Sequence, residues 1–200
     1  MSMLNKKMIS ICMGIFLCIW LFKAFAGVES PRTNKAKDIS GSLTNSYDNP
    51  NSKFSIQYPK DWIYDDATLG VVVFSGKKDT PQYYSTIDIQ TVKAKKYGGE
   101  YQNIKVIIDD IKQQVLKESP QTTFLNHGPI EIAMKNESKL KGEFLIFIYS
   151  YKGNIIEQWQ VIIPRKDQSV FYTWAYTAPI DQYAHDLPIA KAMLASWLIY

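Results

Sequence analysis

Residues 144–178 read FLIFIYSYKGNIIEQWQVIIPRKDQSVFYTWAYTA, three strand-like runs separated by two short polar breaks. The runs 144–151, 155–163 and 170–178 are dense in β-branched and aromatic residues, which fit a pleated surface. Lys152-Gly153-Asn154 is short enough for a hairpin loop, and residues 165–169 make the next one. Strands joined in this way are antiparallel neighbours. The first run is apolar at consecutive positions, which predicts a central strand covered on both sides. In the last run Tyr172, Trp174 and Tyr176 alternate with Phe171, Thr173 and Ala175, so the three large rings share one sheet face.

Working outward, Phe54-Ser55-Ile56-Gln57-Tyr58 alternates apolar and polar at the two-residue period of a half-buried strand, and Pro59-Lys60-Asp61 turns into Trp62. Residues 71–75 and 84–93 are two further strands. The period then changes, with Tyr101, Ile104, Ile108, Ile111 and Val115 recurring at steps of three and four, the stripe of a helix. Ser119-Pro120 ends it, because proline disfavours helical geometry in the residue before it. Residues 122–126 and 130–134 read as strand pieces either side of a bulge or bend at His127-Gly128-Pro129. A last helix is predicted from about Pro188, with Met193, Leu194, Trp197 and Leu198 inward. Hairpin-linked strands with one helix inserted and one at the end make the class α+β, an antiparallel sheet flanked by helices.

At the N-terminus, Lys6 and Lys7 precede an uncharged apolar run over residues 8–22, and Lys23 is followed by Ala24-Phe25-Ala26. A basic flank, an apolar stretch and small residues at −3 and −1 predict a secretory signal over residues 1–26, cleaved after Ala26. The competing reading is an uncleaved inner-membrane anchor through residues 8–22, although such a helix is about 23 Å long against the roughly 30 Å hydrocarbon core. Either outcome makes residues 27–200 periplasmic or secreted.

Both cysteines, Cys12 and Cys18, fall within that segment. The exported part therefore has no disulfide, no thiolate nucleophile and no cysteine ligand for zinc. The formal charge of +4 also shrinks, because residues 27–200 carry 20 basic and 19 acidic side chains. That balance gives no reason to expect nucleic acid as a partner. Residues 27–50 are poor in large apolar side chains and rich in Ser, Asn, Asp and Lys, which predicts a flexible tether. Residues 51–200 are the size of one domain, long enough to bury a core without staples.

Several local motifs resemble the PsbP-like family, which includes bacterial envelope proteins of the DcrB type. Phe54-Ser55-Ile56-Gln57-Tyr58-Pro59 followed by Asp61-Trp62 is similar to that family's opening strand and turn. The ending is similar too: Tyr176-Thr177-Ala178-Pro179 leads into a helix carrying Ala195-Ser196-Trp197. The resemblance spans residues 52–199. It implies an α-β-α sandwich and an accessory, assembly or binding role with no shared catalytic residue to carry over. The photosynthetic role of the family's namesake is not implied, since its functional N-terminal segment has no counterpart here.

No motif carries catalysis. Hydrolysis by a hydroxyl needs a base beside it, but G-x-S-x-G is missing and the only histidines are His127 and His185. His127 sits in a turn-like Asn126-His127-Gly128-Pro129. His185 lies four residues after Asp181, a spacing that suits two metal ligands on one helix face, but no third ligand appears and Asp186-Leu187-Pro188 reads as a cap. Asp65-Asp66 and Asp109-Asp110 are sequence neighbours that point to different sides, the first pair reading as a turn and the second as a solvated helix face. Lys93, Lys95 and Lys96 form a small basic run beside Tyr97-Gly98-Gly99-Glu100, read as a solvated loop in preference to an anionic lipid or polymer contact, since three charges attract only modestly.

Aromatic residues are the remaining excess, at 14% of the chain. The candidate partner surface is drawn from Tyr83, Tyr84, Tyr97, Tyr172, Trp174 and Tyr176, since Tyr and Trp anchor many interfaces. For Tyr172, Trp174 and Tyr176 the competing role, and the one favoured, is core under a helix. The expected function is a non-enzymatic exported accessory domain that binds or assembles another envelope protein. A hydrolase with a scattered site and a small apolar-ligand carrier stay open as alternatives. Catalytic, metal and cofactor residues are expected to be none, and membrane contact only through an uncleaved N-terminal segment.

Overall fold

The computed structural model describes residues 43–134 and 138–200. The expected signal or anchor and the tether up to residue 42 lie outside the described residues. The elements run β1 (Leu43–Asn49), β2 (Phe54–Pro59), β3 (Trp62–Asp65), β4 (Val71–Gly76), β5 (Thr86–Lys93) and α1 (Ile104–Glu118). They continue as β6 (Thr123–Ala133), β7 (Lys139–Tyr151), β8 (Asn154–Pro164), β9 (Val170–Pro179), α2 (Ile180–Ser196) and β10 (Leu198–Ile199).

The runs 144–151, 155–163 and 170–178 form β7, β8 and β9, each antiparallel to the next. Lys152 and Gly153 both have positive φ, 49° and 83°, the signature of the two-residue turn that matches strand twist. The large sheet has the order β3-β4-β5-β9-β8-β7-β6, so β9 is its middle strand. All of its neighbours pair antiparallel. A second, three-stranded sheet has β2 between β1 and β10. The class is α+β.

The two faces of β9 look into two cores. Tyr172, Trp174 and Tyr176 belong to a cluster with Phe54, Ile56, Ile189, Met193 and Trp197, so this face is covered by α2 together with the small sheet. Phe171 and Ile162 belong to the other cluster, with Ile107, Ile108, Ile111 and Val115 of α1. The α1 stripe is the one the period of three and four predicts, and Asn103 caps the helix by accepting from the Val106 N–H at 3.0 Å.

Four expectations need correction. The segment 27–50 ends in structure, because β1 pairs along β2 from Leu43 to Asn49 and Tyr47 is buried against Phe54 and Phe74. Only Leu43 and Tyr47 of this strand carry large apolar side chains, which is why composition alone pointed to a tether. The chain 123–133 is one strand and not two: His127-Gly128-Pro129 stays in register with β7, and the irregularity falls between Phe124 and Asn126. Strand β7, expected at the centre, is second from the edge. The last helix starts at Ile180, eight residues before Pro188, which sits inside it. Pro188 removes one N–H, and the buried row Tyr183, Asp186, Ile189, Ala190 and Met193 holds the helix through that gap.

Candidate functional site

Of the six residues singled out for a partner surface, Tyr172, Trp174 and Tyr176 are fully buried. They cannot form a surface floor. The Tyr172 hydroxyl donates to the Ser52 carbonyl at 2.6 Å and the Tyr176 hydroxyl to the Tyr183 carbonyl at 2.9 Å, so even their polar ends face inward. Burial pushes the Tyr176 phenol well above the usual tyrosine range, with the Asp186 carboxylate adding to it. The other three separate into two places. Tyr83 and Tyr84 meet edge to face at 5.1 Å in a single 3₁₀ turn before β5, whereas Tyr97 lies beyond the far end of that strand. Eight strand residues, about 24 Å of chain, separate them.

Tyr97 stands beside a cavity of about 620 Å³ at the N-terminal end of α1. One wall is the loop that leaves β5. Ala94 accepts from the Tyr97 and Gly99 N–H groups at 2.9 and 3.1 Å, and the Lys95 N–H donates to the Tyr101 carbonyl at 2.7 Å. The loop is closed on itself by its own backbone. Gly99 is required there, because a Cβ would lie 1.7 Å from the Lys93 carbonyl oxygen. The second wall is the start of α1, with Asn103, Ile104 and Lys105. The third is the β8–β9 hairpin, from Pro164 to Phe171, with Glu143 of β7 completing the lining. A smaller cavity of about 210 Å³ lies over Trp62 and Ile189.

The charges at the larger cavity are mostly matched. Arg165 holds Asp167 at 2.9 and 3.0 Å, and that guanidinium, with Ser169 bonds adding to it, keeps the Asp167 carboxyl far below its ordinary value. Glu143 meets the His127 ring at 2.8 Å, so this histidine is a cross-strand partner and not a turn residue. Lys105 pairs with Asp109 at 2.5 Å, on the same helix face. Lys95 and Lys96 are exposed and have no carboxylate partner among the described residues.

The two pairs of adjacent acids, Asp65-Asp66 and Asp109-Asp110, also have structural partners. Asp66 accepts from Tyr47 at 3.0 Å, and burial together with that bond pushes the Tyr47 phenol up to about 12. Asp65 accepts from the Ala67 N–H at 2.9 Å, a local turn bond of the kind expected for this pair. Asp110 accepts from Tyr101 at 2.6 Å and from Gln114 at 2.8 Å. Among the described residues no group of three or more His, Cys, Asp or Glu side chains is placed to hold a metal ion.

Asp186 is the residue that sequence reasoning misplaced. Read as a helix cap, it is instead buried in mid-helix, accepting from the Ser85 hydroxyl at 2.5 Å and from His185 Nδ1 at 2.7 Å. Serine, histidine and aspartate thus come together, but in the wrong order for nucleophilic catalysis. Activation needs the hydroxyl bonded to the imidazole, with the carboxylate behind it. Here both bond the carboxylate, and Ser85 is fully buried. The cluster anchors α2 to the start of β5. Nothing in the sequence signals it, because Ser85 and Asp186 are 101 residues apart.

No family model and no curated protein matches the chain. Solved structures do. Cyanobacterial PsbP (CyanoP) from Synechocystis sp. PCC 6803 is similar over 86% of this chain and 98% of its own, with a TM-score of 0.55 and 14% identity. The Saccharomyces cerevisiae Ran-binding protein Mog1p is similar over 78% of this chain and 94% of its own, with a TM-score of 0.53 and 6% identity. LpqN, involved in cell envelope biogenesis of Mycobacterium tuberculosis, is similar over 73% of this chain and 82% of its own, with a TM-score of 0.50 and 11% identity. These are likenesses of fold, and the fold is PsbP-like.

Proposed function

We propose that this chain is a non-enzymatic exported protein of the bacterial envelope, whose folded domain binds a protein partner as an accessory or assembly factor. The observation that carries the reading is the cavity beside Tyr97: a preformed concave site with charged and aromatic lining and no base next to a nucleophile. Its volume is that of a small-molecule pocket, about 300–1,000 Å³, which is room for one or two side chains of a partner's segment. The fold-level likeness to a Ran-binding protein and to a protein of cell envelope biogenesis supports a binding role in that setting. In this reading residues 1–26 direct export, residues 8–22 anchor the chain if they are not removed, and the domain has α-β-α layering with the small sheet sharing the α2 layer. Among the described residues no helix is long and apolar enough to cross a membrane. Tyr97 forms the primary contact surface, with Tyr83 and Tyr84 as a separate second patch.

The test is photo-crosslinking in intact cells with a reactive amino acid replacing Tyr97 or Tyr83, followed by mass spectrometry. The expected result is a defined envelope protein captured from position 97. Capture only from a distant control position, such as Lys139, would sink the site assignment. A mature N-terminus at Gly27 in the extracytoplasmic fraction is expected, and recovery of the folded domain in the cytoplasm would defeat the export reading.

A further inference from the structure

If the cavity beside Tyr97 receives a protein partner, its chemistry also says what kind of segment enters. Tyr97, Ile104, Pro164 and the largely buried Phe171 give it apolar surfaces. Its own carboxylates are already occupied, Asp167 by Arg165 and Glu143 by His127. On the opposite wall Lys95 and Lys96 are unmatched, Lys96 lying 5.8 Å from the Tyr97 ring centre. The backbone that carries both lysines is fixed by the bonds at Ala94, so little ordering is needed on binding.

We propose that this cavity binds an acidic segment of the partner, a peptide in which carboxylates flank an aromatic or aliphatic side chain. The apolar side chain lies against Phe171 and Tyr97, and the carboxylates meet the ammonium groups of Lys95 and Lys96. The adjacent positive end of α1 adds to the same field without being required by it. An anionic lipid surface fits less well, because recognition of that kind uses clusters of four to eight basic residues, whereas the lining of this concave site offers two lysines without a carboxylate partner, Lys95 and Lys96. The inference rests on the accessory-protein reading above and narrows it.

The experiment measures fluorescence anisotropy of labelled six-residue peptides of alternating Glu and Phe, and of alternating Gln and Phe, added to the full chain. The acidic peptide is expected to bind at least about tenfold more tightly, with affinity falling as salt rises. Lys95→Glu with Lys96→Glu is expected to weaken it by about tenfold or more, whereas Lys77→Glu with Lys78→Glu, the same charge change on another exposed loop, leaves it unchanged. All four lysines are exposed, so both variants should unfold at the wild-type denaturant midpoint. Equal binding of the two peptides, an equal loss in both variants, or strong binding of inorganic phosphate with the acidic peptide ignored would each overturn the proposal. If crosslinking at position 97 captures a partner through a segment without Asp or Glu, this inference fails while the accessory role stands. If nothing is captured there and the acidic peptide still binds, the partner reading fails and the anionic site remains.

Discussion

The two faces of the seven-stranded sheet are built on different principles. Toward α2 and the small sheet, β9 presents Tyr172, Trp174 and Tyr176 in a large aromatic and aliphatic cluster, with the hydrogen-bonded Asp186 and Ser85 as a buried polar group beside it. Toward α1, the same strands present Ser75, Thr86, Asp88, Gln90, Gln158, Gln160, Thr173 and Thr177, eight buried polar side chains on β4, β5, β8 and β9. The apolar cluster on that second face lies beneath α1, over Phe171, Ile162, Leu145 and Phe147. One face therefore supplies stability by burying area. The other must satisfy polar groups, and it borders the cavity. A protein that binds through a preformed cleft gains from this division, because the binding edge can vary while the opposite core holds the fold.

The largest expected effect is on the aromatic face. Trp174→Ala should cost about 3–5 kcal/mol in urea denaturation, through lost burial and the cavity left behind. That is a large share of the 5–15 kcal/mol typical of a domain. A loss below about 1 kcal/mol would mean that the indole is not the packing centre its full burial indicates. Ile111→Ala beneath α1 comes next, at about 2–4 kcal/mol, since it removes a buried side chain from a smaller apolar cluster. If Ile111→Ala proves costlier than Trp174→Ala, the contrast between the faces is reversed.

The polar half of the α1 face makes a prediction of a different kind. Gln158 donates from its amide to Gln160 at 2.8 Å, with both side chains buried. Gln160→Leu keeps the volume but strands the Gln158 donor, and should cost about 1–3 kcal/mol. The double variant Gln158→Leu, Gln160→Leu removes both amides and should recover part of that loss, the rest reflecting the bond that Gln158 accepts from the Tyr149 hydroxyl at 3.5 Å. A double-mutant cycle in chemical denaturation measures the difference. If the double variant is destabilised by the sum of the singles, the two amides are not acting as a pair.

How much of this was legible depends on whether periodicity carried it. The strands of residues 144–178 and the α1 stripe follow from apolar spacing, and both formed where expected. Strands β1 and β3 did not announce themselves. LTNSYDN has polar side chains at most of its positions, and WIYD spans four residues, so neither offers enough alternation to count. The start of α2 was masked by Pro188, whose usual place is the first turn, while the row from Tyr183 to Met193 set the true start. The candidate site was legible only in part. Lys95-Lys96-Tyr97 stands out as a basic and aromatic run, but the other walls come from residues 102–105, 143 and 164–171, which only the tertiary fold brings together. The clearest misassignment, Asp186, shows why a buried carboxylate is hard to read. Its partners are a neighbouring histidine and a serine 101 residues away, and no local pattern distinguishes such an aspartate from a cap.

The smallest effect tests how far the aromatic face tolerates charge. Glu157 on β8 is partly buried on that side, and desolvation raises its carboxyl above the ordinary glutamate value of 4.5. Between the unfolded and folded values the native state binds more protons than the unfolded one, so stability falls as pH rises through that window and then levels off. Its charge also helps to push the Tyr176 and Tyr183 phenols upward. Glu157→Gln removes the charge and keeps the shape. It should raise stability at pH 7 by less than about 1 kcal/mol, because a half-buried group is screened by solvent. The gain should vanish below pH 4, where the wild-type side chain is itself neutral. Urea denaturation of the two proteins at pH 3.5 and pH 7 gives the comparison. A loss of stability at pH 7 would show that Glu157 makes a favourable contact, and a gain of equal size at both pH values that its charge is not the cause; either would mean that, unlike the hydrogen-bonded Asp186, this carboxylate is not penalised by its burial.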